Sequence, residues 1–251
     1  MPNLRIDDAA WSSAWRDFGL SGKVLLSGGF LGIALILPVW PASVLVALTS
    51  AALILGPAGT SPSTTLRSLV IPLSFIALGS LPVAVSISID PSWTVQIDAG
   101  TLSRAAETAG RATAGTMAVL LLALTTPITD LLDGLRRAGV PTACVEVASL
   151  TYRMLFMLID STRTIRQSQA ARLGDDSLAR SLRSSGSLAA TVLTRSWDRA
   201  SRLERGLVSR GYTGELPTAH DPPRTSVSFA LSTTAGITGI AAVAFFLESW
   251  S

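Results

Sequence analysis

Hydropathy divides this chain unevenly. Four apolar stretches lie before Pro127 and one lies after Arg224. The 97 residues between them, 128–224, hold 14 of the 20 Lys and Arg. Charged residues make up 15% of the chain, against about 25% in soluble domains, and the deficit is concentrated in the apolar stretches. The pattern predicts an all-α integral membrane protein with about five transmembrane helices. A basic, helical block lies between the fourth and fifth spans.

The spans are placed at 24–37, 42–58, 69–89, 110–126 and within 225–251, together leaving residues 1–23 as an N-terminal arm and 24–127 as a four-span unit. The first two are short for a hydrocarbon core that needs about 20 helical residues. Pro38, Val39, Trp40 and Pro41 form the turn between them, with Trp40 suited to the membrane–water interface. Pro72 and Pro82 fall inside the third span, where neighbouring helices can satisfy the freed carbonyls. Gly28, Gly29, Gly32, Gly110, Gly115, Gly236 and Gly239 favour close helix packing.

Lys and Arg set the orientation. The turn at 38–41 has none, and the loop 90–107 has only Arg104, against Asp90, Asp98 and Glu107. The arm carries Arg5, Arg16 and Lys23, the second connection carries Arg67, and the central block carries 14. The positive-inside rule therefore places the arm, residues 59–67 and residues 128–224 in the cytoplasm, and the C-terminus outside. The mixed charges of the arm, including Asp7, Asp8 and Asp17, do not make a signal peptide. Trp11, Trp15 and Phe18 suit it to lie on the membrane as an amphipathic helix.

In the central block, Thr129 and Asp130 cap a short helix, 131–138, stopped by Gly139 and Pro141. A long helix follows from Thr142 to Leu173. Asp175, Asp176 and Ser177 cap the next, which Gly186 is placed to kink and Gly211 ends. Its Leu178, Leu182, Ala189, Leu193, Ala200, Leu203 and Leu207 form an apolar stripe roughly 80° wide, with Arg180, Arg195, Arg202 and Arg205 opposite.

Both long helices end in an Arg close to a Gly, at Ala171-Arg172-Leu173-Gly174 and Ser209-Arg210-Gly211. One such Arg is explained by the helix dipole and the last carbonyls. Two, 38 residues apart in one block, suggest more. If the helices cross, both tips can point the same way, each offering a guanidinium to a carboxylate on a partner.

Glu146, Arg153 and Asp160 lie seven residues apart on the first long helix, within a stretch, 143–159, apolar enough to be taken for a span. A charged relay inside the membrane is one reading. An interfacial helix with its charges paired is the preferred one. Cys144 reads as a small buried hydrophobe, and His220 as a solvated linker residue. One Cys and one His cannot build a zinc-type site, so no metal site is expected. No nucleophile–base set and no Gly-rich loop followed by Lys and Ser/Thr is present, so no catalytic residue, bound cofactor or ATP site is expected in this chain. The sequence pI near 9.7 reflects a net charge of only +3. Because the arginines adjoin membrane segments, a nucleic-acid partner is not expected.

The stretches Leu124–Pro141 (LTTPITDLLDGLRRAGVP), Leu150–Asp160 (LTYRMLFMLID), Gln169–Arg172 (QAAR) and Ser209–Pro217 (SRGYTGELP) resemble the transmembrane T component of energy-coupling factor (ECF) transporters. They are most similar to the cobalt/nickel branch, the CbiQ family. The likeness is strong over about 115–217. The resemblance implies a non-catalytic scaffold subunit of an ATP-driven cobalt or nickel importer in a bacterial inner membrane. It makes 128–224 a coupling-helix region, in which Arg172 and Arg210, with Ala171, Gly174, Ser209 and Gly211, end helices that seat in two ABC ATPase subunits. Those partners would hydrolyse the ATP. A membrane substrate-capture subunit, a small accessory membrane subunit and the lipid bilayer are the other implied partners. The family's usual motif is Ala-Arg-Gly; here the first Gly comes one place late and Ser209 replaces Ala. The N-terminal likeness is weak, since Leu20, Ser21 and Gly22 precede Lys23 where the family often has Pro-Arg. The alternatives are a T component serving vitamin-binding subunits and, from a different class, a multi-span membrane enzyme, which would need a polar cluster within the spans.

Overall fold

The computed structural model describes residues 5–88, 94–96, 98–172, 176–212 and 227–249. Among them the chain is almost wholly helical: α1 (Arg5–Ser12), α2 (Leu20–Ile36), α3 (Val39–Leu55), α4 (Pro62–Ala84), α5 (Ala99–Thr125), α6 (Ile128–Arg137), α7 (Thr142–Ala170), α8 (Leu178–Val208) and α9 (Val227–Glu248). A small antiparallel hairpin, β1 (Ser86–Ser88) with β2 (Thr94–Gln96), follows α4. The chain divides into two compact units, residues 1–134 with 221–251, and residues 135–220.

In the first unit α5 is central and packs against α1, α2, α3 and α4, while α9 packs on α2 and α3. The core holds Leu26, Phe30, Ala34, Val46, Ile54, Ala118, Leu121 and Leu124. Glycines allow some of the close approaches. A Cβ on Gly29 would stand 2.5 Å from Ile237 of α9, and one on Gly115 would stand 3.3 Å from Leu31. Gly28, Gly32, Gly236 and Gly239 face open space, so only part of the small-residue set serves packing. The apolar surface of α4 is left uncovered at Leu66, Val70, Ile71, Phe75, Leu78 and Leu81. That suits a helix surrounded by lipid or another membrane protein.

The helix ends differ from the expected spans for local reasons. Ser61 accepts from the Thr64 amide and Pro62 opens the first turn, so α4 begins seven residues early. It ends at Ala84, and 86–88 are extended rather than helical. Asp98 and Thr101 form a capping box that starts α5 well before residue 110. Pro72 and Pro82 lie inside α4 as expected.

Among the described residues, four helices are long and apolar enough to cross a membrane: α4, α5, α7 and most of α9. The apolar α2 and α3 have 17 residues each. By length and composition α7 is therefore span-like, although the sequence reading placed it beside the membrane.

The arm is packed into the bundle and does not lie free. Trp15 is buried and meets Phe229 edge-on at 5.5 Å, while Phe18 stacks on Phe229 at 4.5 Å. Ser13 Oγ donates to the Ala58 carbonyl at 3.0 Å. Of the three aromatics expected at a lipid surface, only Trp11 is exposed, and Arg16 covers its ring.

Candidate functional site: the two Arg-tipped helices

The second unit is built on α7 and α8. Ser177 caps α8 by accepting from the Arg180 amide, and Asp176 pairs with Arg180 at 2.8 Å. The helix α8 runs through Gly186 as one element of 31 residues. Four contacts give the pairing of the helices. Gln169 Nε2 donates to the Ser184 carbonyl at 3.1 Å, Arg195 to Ser161 Oγ at 3.0 Å, Arg199 meets the Met157 sulfur, and Tyr212 Oη donates to Glu146 Oε2 at 2.7 Å. As the α7 number falls the α8 number rises, so the helices are antiparallel.

The two tips therefore point in opposite directions. Arg172 lies just beyond the end of α7, beside the start of α8. Arg210 lies beside the start of α7, about 40 Å away along a helix rising 1.5 Å per residue. A common direction, expected if the helices crossed, is replaced by opposite ends of one hairpin.

Each tip has its own termination. The amides of Ala171 and Arg172 bond back to the Gln167 and Gln169 carbonyls, and both residues are exposed. Leu173 and Gly174 lie outside the described residues. At the other tip Gly211 takes φ = +76°, a conformation that favours glycine. Its amide bonds to the Val208 carbonyl, and the Tyr212 amide bonds to the Leu207 carbonyl, each at 3.0 Å. This Schellman arrangement satisfies the last carbonyls with backbone groups. Ser209 and Arg210 are exposed there. Because backbone amides take those carbonyls, the capping explanation of Arg210 loses much of its force.

Other features of the helix pair bear on the expectations from sequence. The apolar stripe of α8 is not its buried face. Leu178, Leu182 and Leu193 are 82%, 67% and 71% exposed, and no residue of α8 is fully buried. Contact with α7 falls between the stripe and the arginines, which is why Arg195, expected to face water, reaches Ser161. Cys144 is exposed, because Val145 takes the inward position next to it. Glu146 accepts from the Tyr212 hydroxyl, and Asp160 pairs with Arg163 at 4.0 Å, one turn along α7. His220 lies outside the described residues. Among the described residues no three His, Cys, Asp or Glu gather as metal ligands would.

A second polar cluster escaped the sequence reading. Lys23, read there as a topology signal, is 2% exposed, and Asp130 and Asp133 are 6% and 8% exposed. Lys23 Nζ donates to the Thr125 carbonyl at 2.9 Å. The short helix begins at Ile128, not 131, because Asp7 Oδ1 accepts from the Ile128 amide at 3.3 Å. Asp130 is thus inside the first turn rather than its cap. The spacing of Asp130 and Asp133 on one face was the available signal.

A helical membrane protein with a basic hairpin ending in two exposed arginines is the class these features define. The family described as Cobalt transport protein, CbiQ, matches residues 17–220. The cobalt transport protein CbiQ of Rhodobacter capsulatus is 36% identical over 221 residues, covering 88% of this chain and 89% of that protein. CbiQ of Salmonella typhimurium is 31% identical over 161 residues, covering 60% and 71%. A protein of Methanocorpusculum labreanum, named as a fused CbiMQ cobalt transport protein, is 30% identical over 220 residues, covering 83% of this chain and 36% of that longer one. The chain belongs to the CbiQ family of transmembrane transport proteins.

Proposed function

We propose that this chain is the coupling subunit of an energy-coupling factor importer for cobalt. Arg172 and Arg210 each dock into one ABC ATPase subunit, where a carboxylate takes the guanidinium in bidentate fashion. The observation that carries this reading is their placement. Two exposed arginines close helices of 29 and 31 residues at opposite ends of one antiparallel pair. Tips so far apart reach two separate subunits rather than one pocket.

ATP binding and hydrolysis belong to those subunits, and the present chain contributes neither catalytic group nor cofactor. When the ATPases close, the hairpin is displaced and the bundle passes the displacement to a membrane subunit that captures the metal. The uncovered apolar face of α4 offers a surface for such a subunit. The relatives' names favour cobalt over nickel and over the vitamin-serving alternative, and the fused relative's name joins two transport parts in one chain.

Purification of the tagged chain in mild detergent, with mass spectrometry of what remains bound, tests the proposal. Two ABC ATPase copies and a further membrane protein should be retained. A chain that purifies without any ATPase from cells importing cobalt contradicts it.

A further inference from the structure

The break between α5 and α6 is capped on both sides by the N-terminal arm and the start of α2. Lys23 Nζ bonds to the carbonyl of Thr125, the last residue of α5. Asp7 Oδ1 bonds to the amide of Ile128, the first residue of α6. These are groups that a helix break leaves without intrahelical partners. The charges also match the helix dipoles, a cation at the carbonyl end and an anion at the amide end. Both come from distant sequence, 102 and 121 residues away. One turn further along α2, Ser27 donates to the Ala118 carbonyl of α5.

The joint is buried as well as capped. Thr125, Thr126, Lys23 and Asp130 are each almost inaccessible to solvent. Asp130 and Asp17 are the carboxylates whose charge reaches Lys23. Burying charges gives little stability that apolar packing would not also give, but removing one partner is costly. Such a cluster holds a geometry more firmly than it raises stability. The geometry in question is consequential, because α6 carries the chain from the bundle into the basic block.

Resting on the coupling role proposed above, we infer that Lys23 is a positioning residue for transport. With Asp7 it locks the α5–α6 joint, so that a displacement of the ATPase-bound hairpin enters α5 and α2 instead of being absorbed at the joint.

The test uses the complete transporter in liposomes, with cobalt imported per ATP hydrolysed as the readout. Lys23→Met keeps side-chain length and removes the charge. It should leave ATPase co-purification and ATP hydrolysis within about twofold of native and lower cobalt per ATP at least tenfold. Lys23→Arg, which can still donate to Thr125, should recover at least half of the ratio. Asp7→Ala, at a half-exposed site, should lower it about threefold. If Lys23→Met does not assemble, Asp7→Ala and Lys23→Arg decide. A native ratio in Asp7→Ala and Lys23→Met overturns the inference. So does a fall in import matched by an equal loss of bound ATPase, which a merely structural role would give. A native complex that holds no ATPase would instead sink the proposed function, leaving the two failures distinguishable.

Discussion

Tyr212 closes the hairpin: its hydroxyl donates to Glu146 at 2.7 Å, tying the end of α8 to the start of α7. The bond lies two residues beyond Arg210 and fixes where that tip sits. Hydrogen bonds to charged groups contribute about 1.5–3 kcal/mol when well formed, and partial exposure of this pair lowers that to about 1 kcal/mol. Tyr212→Phe and Glu146→Gln should each lower the unfolding midpoint slightly, and the double variant should cost less than the sum of the two. A thermal-shift double-mutant cycle checks this; additive losses would show that the bond does not form.

Gly29 and Gly28 should respond oppositely to enlargement. A side chain at Gly29 meets Ile237 of α9, whereas one at Gly28 meets nothing within 4 Å. Overpacking costs about 1–3 kcal/mol, so Gly29→Val should lower the thermal midpoint in detergent by several degrees. Gly28→Ala should leave it unchanged or raise it. Parallel melts of the two variants decide.

Sidedness around α7 is measurable. The charge distribution predicts a cytoplasmic central block, although α7 is long and apolar enough to cross. Exposed Ala138 and Ser185 lie on either side of it. In a Cys144→Ser background, cysteines at 138 and 185 should both react with a membrane-impermeant thiol reagent only from the cytoplasmic side. Labelling from opposite sides would make α7 a span.

The isolated chain should hold no tight cobalt site, since it has one Cys, Cys144, and one His, His220, far apart in sequence. Isothermal titration should show no stoichiometric submicromolar binding. Submicromolar binding that persists in Cys144→Ser with His220→Ala would move metal capture into this subunit.

What the sequence disclosed and what it hid have physical causes. Helix ends were legible where local chemistry decides them, as at Ser177 and Gly211. The helices containing Pro72 and Pro82 or the small residues of α9 followed from hydropathy alone. Tertiary facts were not legible. Periodicity on α8 identifies an apolar stripe but not what covers it, and Leu182 and Leu193 stay exposed. A Lys at a span boundary looks like a topology signal, and nothing local reveals that Lys23 is buried against Thr125. Asp7 caps α6 across 121 residues, which local motifs do not reveal. Arg172 and Arg210 were found as motif ends, but their opposite placement depends on the antiparallel pairing of α7 with α8.

The most direct measurement of the central claim is cobalt import and ATPase retention in the Arg172→Ala, Arg210→Ala double variant. Losing a guanidinium from a docked pair leaves its carboxylate unpaired, a loss of about 30-fold or more for a buried interfacial pair. Each single change should therefore cut import about tenfold or more, and the double change should release both ATPases while membrane insertion stays native. Arg→Lys at either tip should rescue only in part, because Lys lacks the bidentate fork. Arg202→Ala, exposed on α8 away from either tip, serves as the control and should import normally. Loss of both ATPases and of import in the double variant is the predicted result; normal import with both arginines removed would contradict the account.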